Sequence, residues 1–311
     1  MSEREVVCED LNAAIDEIKR AGFRLDLIYP ADDPHTAVLT KGGDAVRVTC
    51  RPEAEPPSEA LPPFRPEFVL TRAAPSAAEG RAGMLYRDLI PGRLGGRYIA
   101  SHISIPAGGP VADWVHFHRI ALQLIYVRRG WVRLVYEDQG APFVMHEGDF
   151  VLQPPEIRHR VLESSPGLEV VELGAPAVHS TFADHDLELP NGRDLDRSFS
   201  GQRFLHHKAD ETAWTAFRGG EAQESALAEA SGRLADLRTV RSAAAETIDF
   251  EPHDGELVFG FVLDGAATLD YRGDRELGPA DAFVIPPGEA WRLMPSSADF
   301  RLLHVATAVL D

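Results

Sequence analysis

The sequence predicts a predominantly β protein, with two all-β barrels in tandem behind a small α+β segment at the N-terminus. Three observations carry that expectation. Short apolar or alternating runs separated by Gly and Pro fill residues 83–190, at 98–105, 121–127, 131–136, 150–152, 160–162 and 168–173. A second set with the same punctuation follows at 233–241, 257–263, 266–271, 282–285 and 300–308. Both are set off from the N-terminus by residues 51–66, rich in proline and poor in apolar side chains. Many short strands with turn signals between them indicate a sandwich or barrel, and the duplication indicates two.

The N-terminal segment reads as a helix followed by three short strands. Leu11, Ile15 and Ile18 recur at helical spacing, with Asp10 placed to cap the start and Gly22 just past the end. Strands are expected at 23–29, 36–40 and 45–50, separated by the Pro30–Pro34 loop and a Lys41-Gly42-Gly43-Asp44 turn. These residues resemble one half-module of the glyoxalase and bleomycin-resistance (vicinal oxygen chelate) family. The segment holds only His35 and no evident ligand set, so it is read as structural. The expected organisation is an N-terminal segment at 1–52, a Pro-rich linker at 53–75, a first barrel at 76–190, a linker at 191–212 and a second barrel at 213–311.

Bulk properties narrow the function. The 311 residues suffice for two domains, each with its own core. With 31 basic against 49 acidic residues the net charge is −18, which repels nucleic acid and anionic lipid. Cys8 and Cys50 are the only cysteines, the start lacks a basic-then-apolar leader, and no apolar run approaches the ~20 residues that cross a bilayer. A reduced, cytoplasmic protein is expected.

The chemistry concentrates in His116-Phe117-His118, followed by Gln123 and Gly130, and in Gly148…Pro154-Pro155-Glu156-Ile157-Arg158-His159. Two histidines spaced by two on a strand leave the same face and can hold one metal ion, and the Pro-Pro bend brings a third imidazole toward them. These motifs resemble the two signatures of the cupin superfamily: His-x-His, three or four residues, Glu, six residues, Gly; then Gly, five residues, Pro, x, Gly, x, x, His, three residues, Asn. All three histidines and the spacings fit. The family's Glu is Gln123 here, and its second-motif Gly and Asn are Glu156 and Glu163. The resemblance implies jelly-roll (double-stranded β-helix) barrels and one divalent metal ion held by His116, His118, His159 and Gln123.

The second set of runs echoes the first. Val262-Leu263-Asp264-Gly265 matches Val127-Arg128-Arg129-Gly130, and Asp281–Pro287 matches Asp149–Pro155. Anchoring the copies there sets Glu251 opposite His116, His253 opposite His118, Val258 opposite Gln123 and Trp291 opposite His159. The second barrel is expected to have lost its metal.

Three neutral imidazoles and an amide oxygen suit iron first, and also manganese, nickel, copper or zinc, with open positions for a small-molecule substrate or oxygen. Replacing a carboxylate by Gln123 leaves the ion more electrophilic. The resemblance to double-barrel cupins implies a dioxygenase acting on a small aromatic or enolic substrate. A non-redox isomerase or hydrolase and a ligand-binding regulatory cupin are the alternatives. The resemblance also implies a homodimer. Glu156, Glu163, Arg158 and Arg160 flank His159 but read as surface groups. His179, His185 and the His206-His207 pair read as incidental, and Trp114 either lines the site's mouth or packs between elements.

Overall fold

The structure is a computed structural model that describes residues 2–54, 56–58, 60–73, 78–79, 84–242 and 246–310. The expected start of the first barrel, residue 76, lies outside the described residues, as do positions 55, 59, 74 and 75 of the expected linker.

The N-terminal segment opens with a strand that the sequence pattern did not reveal, Ser2–Val7, before the helix Leu11–Arg20. The Asp10 carboxylate accepts from the Ala13 N–H at 3.0 Å, closing the first turn. Strands Arg24–Tyr29, Thr36–Lys41 and Asp44–Thr49 follow as an antiparallel meander, and Ser2–Val7 pairs in parallel with Asp44–Thr49. The helix seats Leu11 and Ile15 on Leu25, Leu39 and Val48. The Cys8 and Cys50 thiols are free, 2.7 Å apart.

This small sheet does not end with the segment. Its strand Arg24–Tyr29 pairs with Thr181–Ala183, placing Thr181 opposite Ile28 and Phe182 opposite Leu27. Thr181–Ala183 in turn pairs with His116–His118, and the sheet runs on through His159–Ser164, Trp131–Tyr136 and Phe143–His146. The N-terminal segment is therefore joined by backbone hydrogen bonds to the histidine-bearing wall of the first barrel. The opposite wall is built from Leu85–Asp88, Ile99–Ile105, Leu168–Ala175, Leu122–Arg129 and Phe150–Leu152. Met84, Ile103, Val132, Leu134, Tyr136 and Val170 fill part of the space between the walls.

The second barrel repeats the plan. One wall holds Gly220–Gln223, Ala235–Ser242, Arg301–Thr307, Val258–Asp264 and Ala282–Ile285; the other holds Ile248–Phe250, Trp291–Pro295, Ala267–Asp270 and Asp274–Leu277. The two stretches expected as linkers each carry a strand, and the strands are exchanged. Val69–Thr71, which precedes the first barrel, pairs with Ala282–Ile285 of the second, and Leu205–His207, which precedes the second, pairs with Phe150–Leu152 of the first. Even the anchoring bond is repeated: Ala73 N–H donates to Asp281 at 2.7 Å and Ala209 N–H to Asp149 at 2.9 Å.

The walls that face each other share one apolar layer, in which Leu124, Tyr126, Phe150 and Leu173 meet Phe259, Phe261, Val284 and Leu303. At its margin Arg97 forks onto Glu256 at 2.9 and 2.6 Å, and the Tyr98 hydroxyl donates to the same carboxylate at 2.8 Å. Burial and this bond keep the Tyr98 proton in place, raising its pKa well above the usual phenol range. Among the described residues no helix is long and apolar enough to cross a membrane.

Candidate metal centre

His116 and His118 leave the same face of their strand because side chains alternate, and cross-strand register then places His159 directly opposite His116. One possible ligand nitrogen from each of the three lies within 4.8 Å of the others, and all three residues are buried. Ring centroids are 4.1 Å apart for His116 and His159, 5.1 Å for His116 and His118, and 5.2 Å for His118 and His159.

Each Nδ1 is tied to the surrounding chain. That of His116 donates to the Trp114 carbonyl at 2.7 Å, that of His159 to the Ile157 carbonyl at 3.0 Å, and that of His118 lies 3.0 Å from the Thr181 hydroxyl. A carbonyl can only accept, so in His116 and His159 the proton sits on Nδ1 and the Nε2 lone pair is left for a metal. The donor set fits a divalent first-row ion by this chemistry. Asp113 adds a carboxylate 3.6 Å from the His116 Nδ1, and Tyr136 stacks on His159 at 5.4 Å.

Gln123 is buried and committed through both ends of its amide. Its Nε2 donates to Glu172 at 2.5 Å, and its Oε1 accepts from Gln153 Nε2 at 2.6 Å. Gln153 in turn accepts from the Tyr136 hydroxyl at 2.8 Å. The order is directional, because a buried phenol donates and a carboxylate accepts. Burial drives the Tyr136 pKa upward and keeps that donor protonated. Neither Glu172 nor Gln153 occupies a ligand position of the histidine motifs. The one available signal for Glu172 is an acid inside the apolar run Val170-Val171-Glu172-Leu173.

These groups line a cavity of about 100 Å³ whose other walls include Ile103, Ile125, Val132, Leu134 and Val161. The wall is mostly apolar, with Gln123, Gln153, Glu172 and the histidines among its polar groups, the composition expected of a small-molecule site. Asp32, from the N-terminal segment, and His179 also reach it.

Glu156 sits at φ 60°, so the backbone keeps the left-handed turn for which the family pattern has glycine, and its carboxylate pairs with exposed Arg119 at 3.3 Å. Glu163 faces Arg133 at 3.8 Å, Arg158 pairs with Asp184 at 3.0 Å, and Arg160 is exposed. His185 bonds the Leu25 carbonyl at 2.8 Å, tying the first barrel to the N-terminal segment. His206 and His207 stack on Phe143 and Phe150. Trp114 lies edge-on to His116 at 5.1 Å and packs against the N-terminal core. His179, read as incidental, is instead buried against His118, with ring centroids 5.5 Å apart.

The second barrel corrects one expected correspondence. Trp291 pairs in register with Phe250, as His159 does with His116, so Phe250 and not Glu251 stands at the His116 position. His253 holds the His118 position, since its carbonyl accepts from Gly288 N–H just as that of His118 accepts from Glu156 N–H. The shift arises because one extra residue separates the pair in the second copy. His253 turns its Nε2 to the Thr307 carbonyl at 2.7 Å. Phe250 and Trp291 stack 3.8 Å apart, and His304, in register with Gly260, closes the stack 5.1 Å from Phe250.

Comparison with known proteins agrees with this architecture. No family model matches the chain, and no curated protein matches it in sequence. Among solved structures, a salicylate 1,2-dioxygenase variant from Pseudoaminobacter salicylatoxidans in complex with gentisate superposes with a TM-score of 0.58 at 16% identity, over 79% of this chain and 83% of that one. Oxalate decarboxylase from Lactobacillus farciminis, a formate complex, gives 0.52 at 12%, over 72% and 81%. Protein Ylba from E. coli gives 0.53 at 12%, over 78% and 92%. The fold is that of a two-barrel cupin, and its first barrel carries a three-histidine cluster able to hold a metal ion.

Proposed function

We propose that the protein is a metal-dependent cupin dioxygenase acting on a small aromatic or enolic molecule, with iron held by His116, His118 and His159 in the first barrel. The observation that carries the reading is the convergence of three buried imidazoles, each fixed through Nδ1, two of which, His118 and His159, line a largely apolar cavity. Bound iron would supply a Lewis acid and a redox centre with open positions for substrate and oxygen.

The chain's own residues do the rest. The apolar walls hold a flat substrate and exclude water, which strengthens every polar contact inside. Gln123, the fourth ligand expected from the sequence, offers its Oε1 while already accepting from Gln153, and its Nε2 is held by Glu172. Glu172, a carboxylate of the cavity wall, takes the proton that an acidic substrate hydroxyl gives up on binding. The same reading takes the protein as a cytoplasmic homodimer, to be checked by light scattering.

The test is oxygen uptake by iron-loaded protein with a panel of catechols, gentisate, salicylate, diketones and flavonols. Uptake with at least one, abolished in His116→Ala, is the expected result. Tightly held zinc with no uptake by the protein in any metal form would favour a non-redox Lewis-acid enzyme, to which the neutral Gln123 is suited. Retention of a small molecule without turnover would favour a ligand-binding cupin.

A further inference from the structure

His179 and Asp32 approach the cavity from different parts of the chain, and both carry polar atoms with no hydrogen-bond partner among the described residues. The His179 Nδ1 donates to the Pro176 carbonyl at 3.1 Å, and its Nε2 is buried with no hydrogen-bond partner. The residue is 2% exposed, and with the proton held on Nδ1 by a carbonyl that can only accept, Nε2 presents a lone pair. Asp32 bonds Arg93 at 2.7 Å through Oδ2, while its Oδ1 is also buried and unpartnered. Arg93 is shared with Asp88 at 3.4 Å, so the cation that holds Asp32 is not turned toward Oδ1. Both residues line the cavity that holds His118 and His159.

Two buried acceptors without a donor, on residues that line one small cavity, are costly when nothing meets them. Their complement is an O–H or N–H. We propose that Asp32 and His179 form a polar subsite beside His118 that recognises a hydrogen-bond donor, a hydroxyl or an amino group, on a substrate bound at the three-histidine cluster. The inference rests on the reading of that cavity as the substrate site. It also gives the N-terminal segment a part in recognition. Pairing of its strand Arg24–Tyr29 with Thr181–Ala183 brings the Asp32 loop to the cavity, and His179 lies just ahead of the same strand. Substrates would then be small, largely apolar molecules with a donor substituent close to the metal-facing group.

Phenol, aniline and toluene separate the two questions, because they share a shape and only the first two donate. Their affinities are to be measured by calorimetry on metal-free and zinc-loaded protein. The expected result on metal-free protein is that the phenol-to-toluene and aniline-to-toluene affinity ratios fall about tenfold in Asp32→Asn and in His179→Phe. In Asp32→Asn the amide oxygen turns to Arg93, which leaves an N–H where the ligand's would sit. Zinc content should be unchanged in both variants. Wild-type ratios preserved in both variants would overturn the proposal and mark the place as that of a buried water. So would an equal loss of all three probes. Failure of the wild type to take up zinc would overturn the metal reading instead, while the metal-free ratios still decide the subsite. A large fall for phenol with none for aniline would assign the subsite to hydroxyl donors, and the reverse to amines.

Discussion

Gln123 donates its amide N–H to Glu172 at 2.5 Å, so the carboxylate missing from the histidine motif stands beside the substitution, supplied by the neighbouring strand Leu168–Ala175. A glutamine is the side chain that can sit between Gln153, which gives a hydrogen bond, and Glu172, which needs one.

Gln123→Glu should therefore set two carboxylates against each other in an apolar wall. One must hold a proton, and stability should fall by about 2 kcal/mol at neutral pH. The exchange variant Gln123→Glu/Glu172→Gln restores a donor to the pair. Urea denaturation at pH 7 should recover at least half of the loss, and an additive loss in the double variant would show that the contact is not formed.

Thr181 couples the two joined sheets to the metal site through its hydroxyl on His118. Thr181→Val keeps shape and burial and removes only that bond. Metal affinity is expected to fall about tenfold, as for other groups that orient a ligand from behind. Competition with a chelator reads this directly, and unchanged affinity would assign the His118 orientation to packing alone.

Between the barrels, Arg97 and Glu256 are both nearly inaccessible, at 8% and 6% side-chain exposure. Glu256→Gln leaves the guanidinium buried without its counter-charge and should cost about 3 kcal/mol, whereas Arg97→Met/Glu256→Leu should cost less than that single change. Chemical denaturation of the three proteins provides the comparison.

His304 gives the second barrel a pH dependence. Burial, followed by Arg238, His253 and Arg218, lowers its pKa to about 3 from an ordinary value of 6.5. Between those values the unfolded chain binds a proton that the folded chain refuses. The associated stability is complete above about pH 6.5 and declines toward pH 3, by at most about 1.4 kcal/mol per pH unit. His304→Phe, which extends the Phe250–Trp291 stack, should flatten the stability profile between pH 6.5 and 4. A profile as steep as that of wild type would place the proton uptake elsewhere.

The sequence by itself determined the barrels, their duplication and the three-histidine cluster. Each is written in local periodicity: alternation sets His116 and His118 on one face, and repeated Gly and Pro-Pro signals mark matching turns in the two copies. A one-residue insertion makes residue count point to Glu251, whereas strand register places Phe250 opposite Trp291. Only the tertiary structure decided what surrounds the cluster. Glu172 reaches Gln123 across a strand pair, the exchanged strands cross between barrels, and Asp32 arrives from a segment about ninety residues before His118. Such contacts depend on which strand edges meet in space, and no local spacing records that choice.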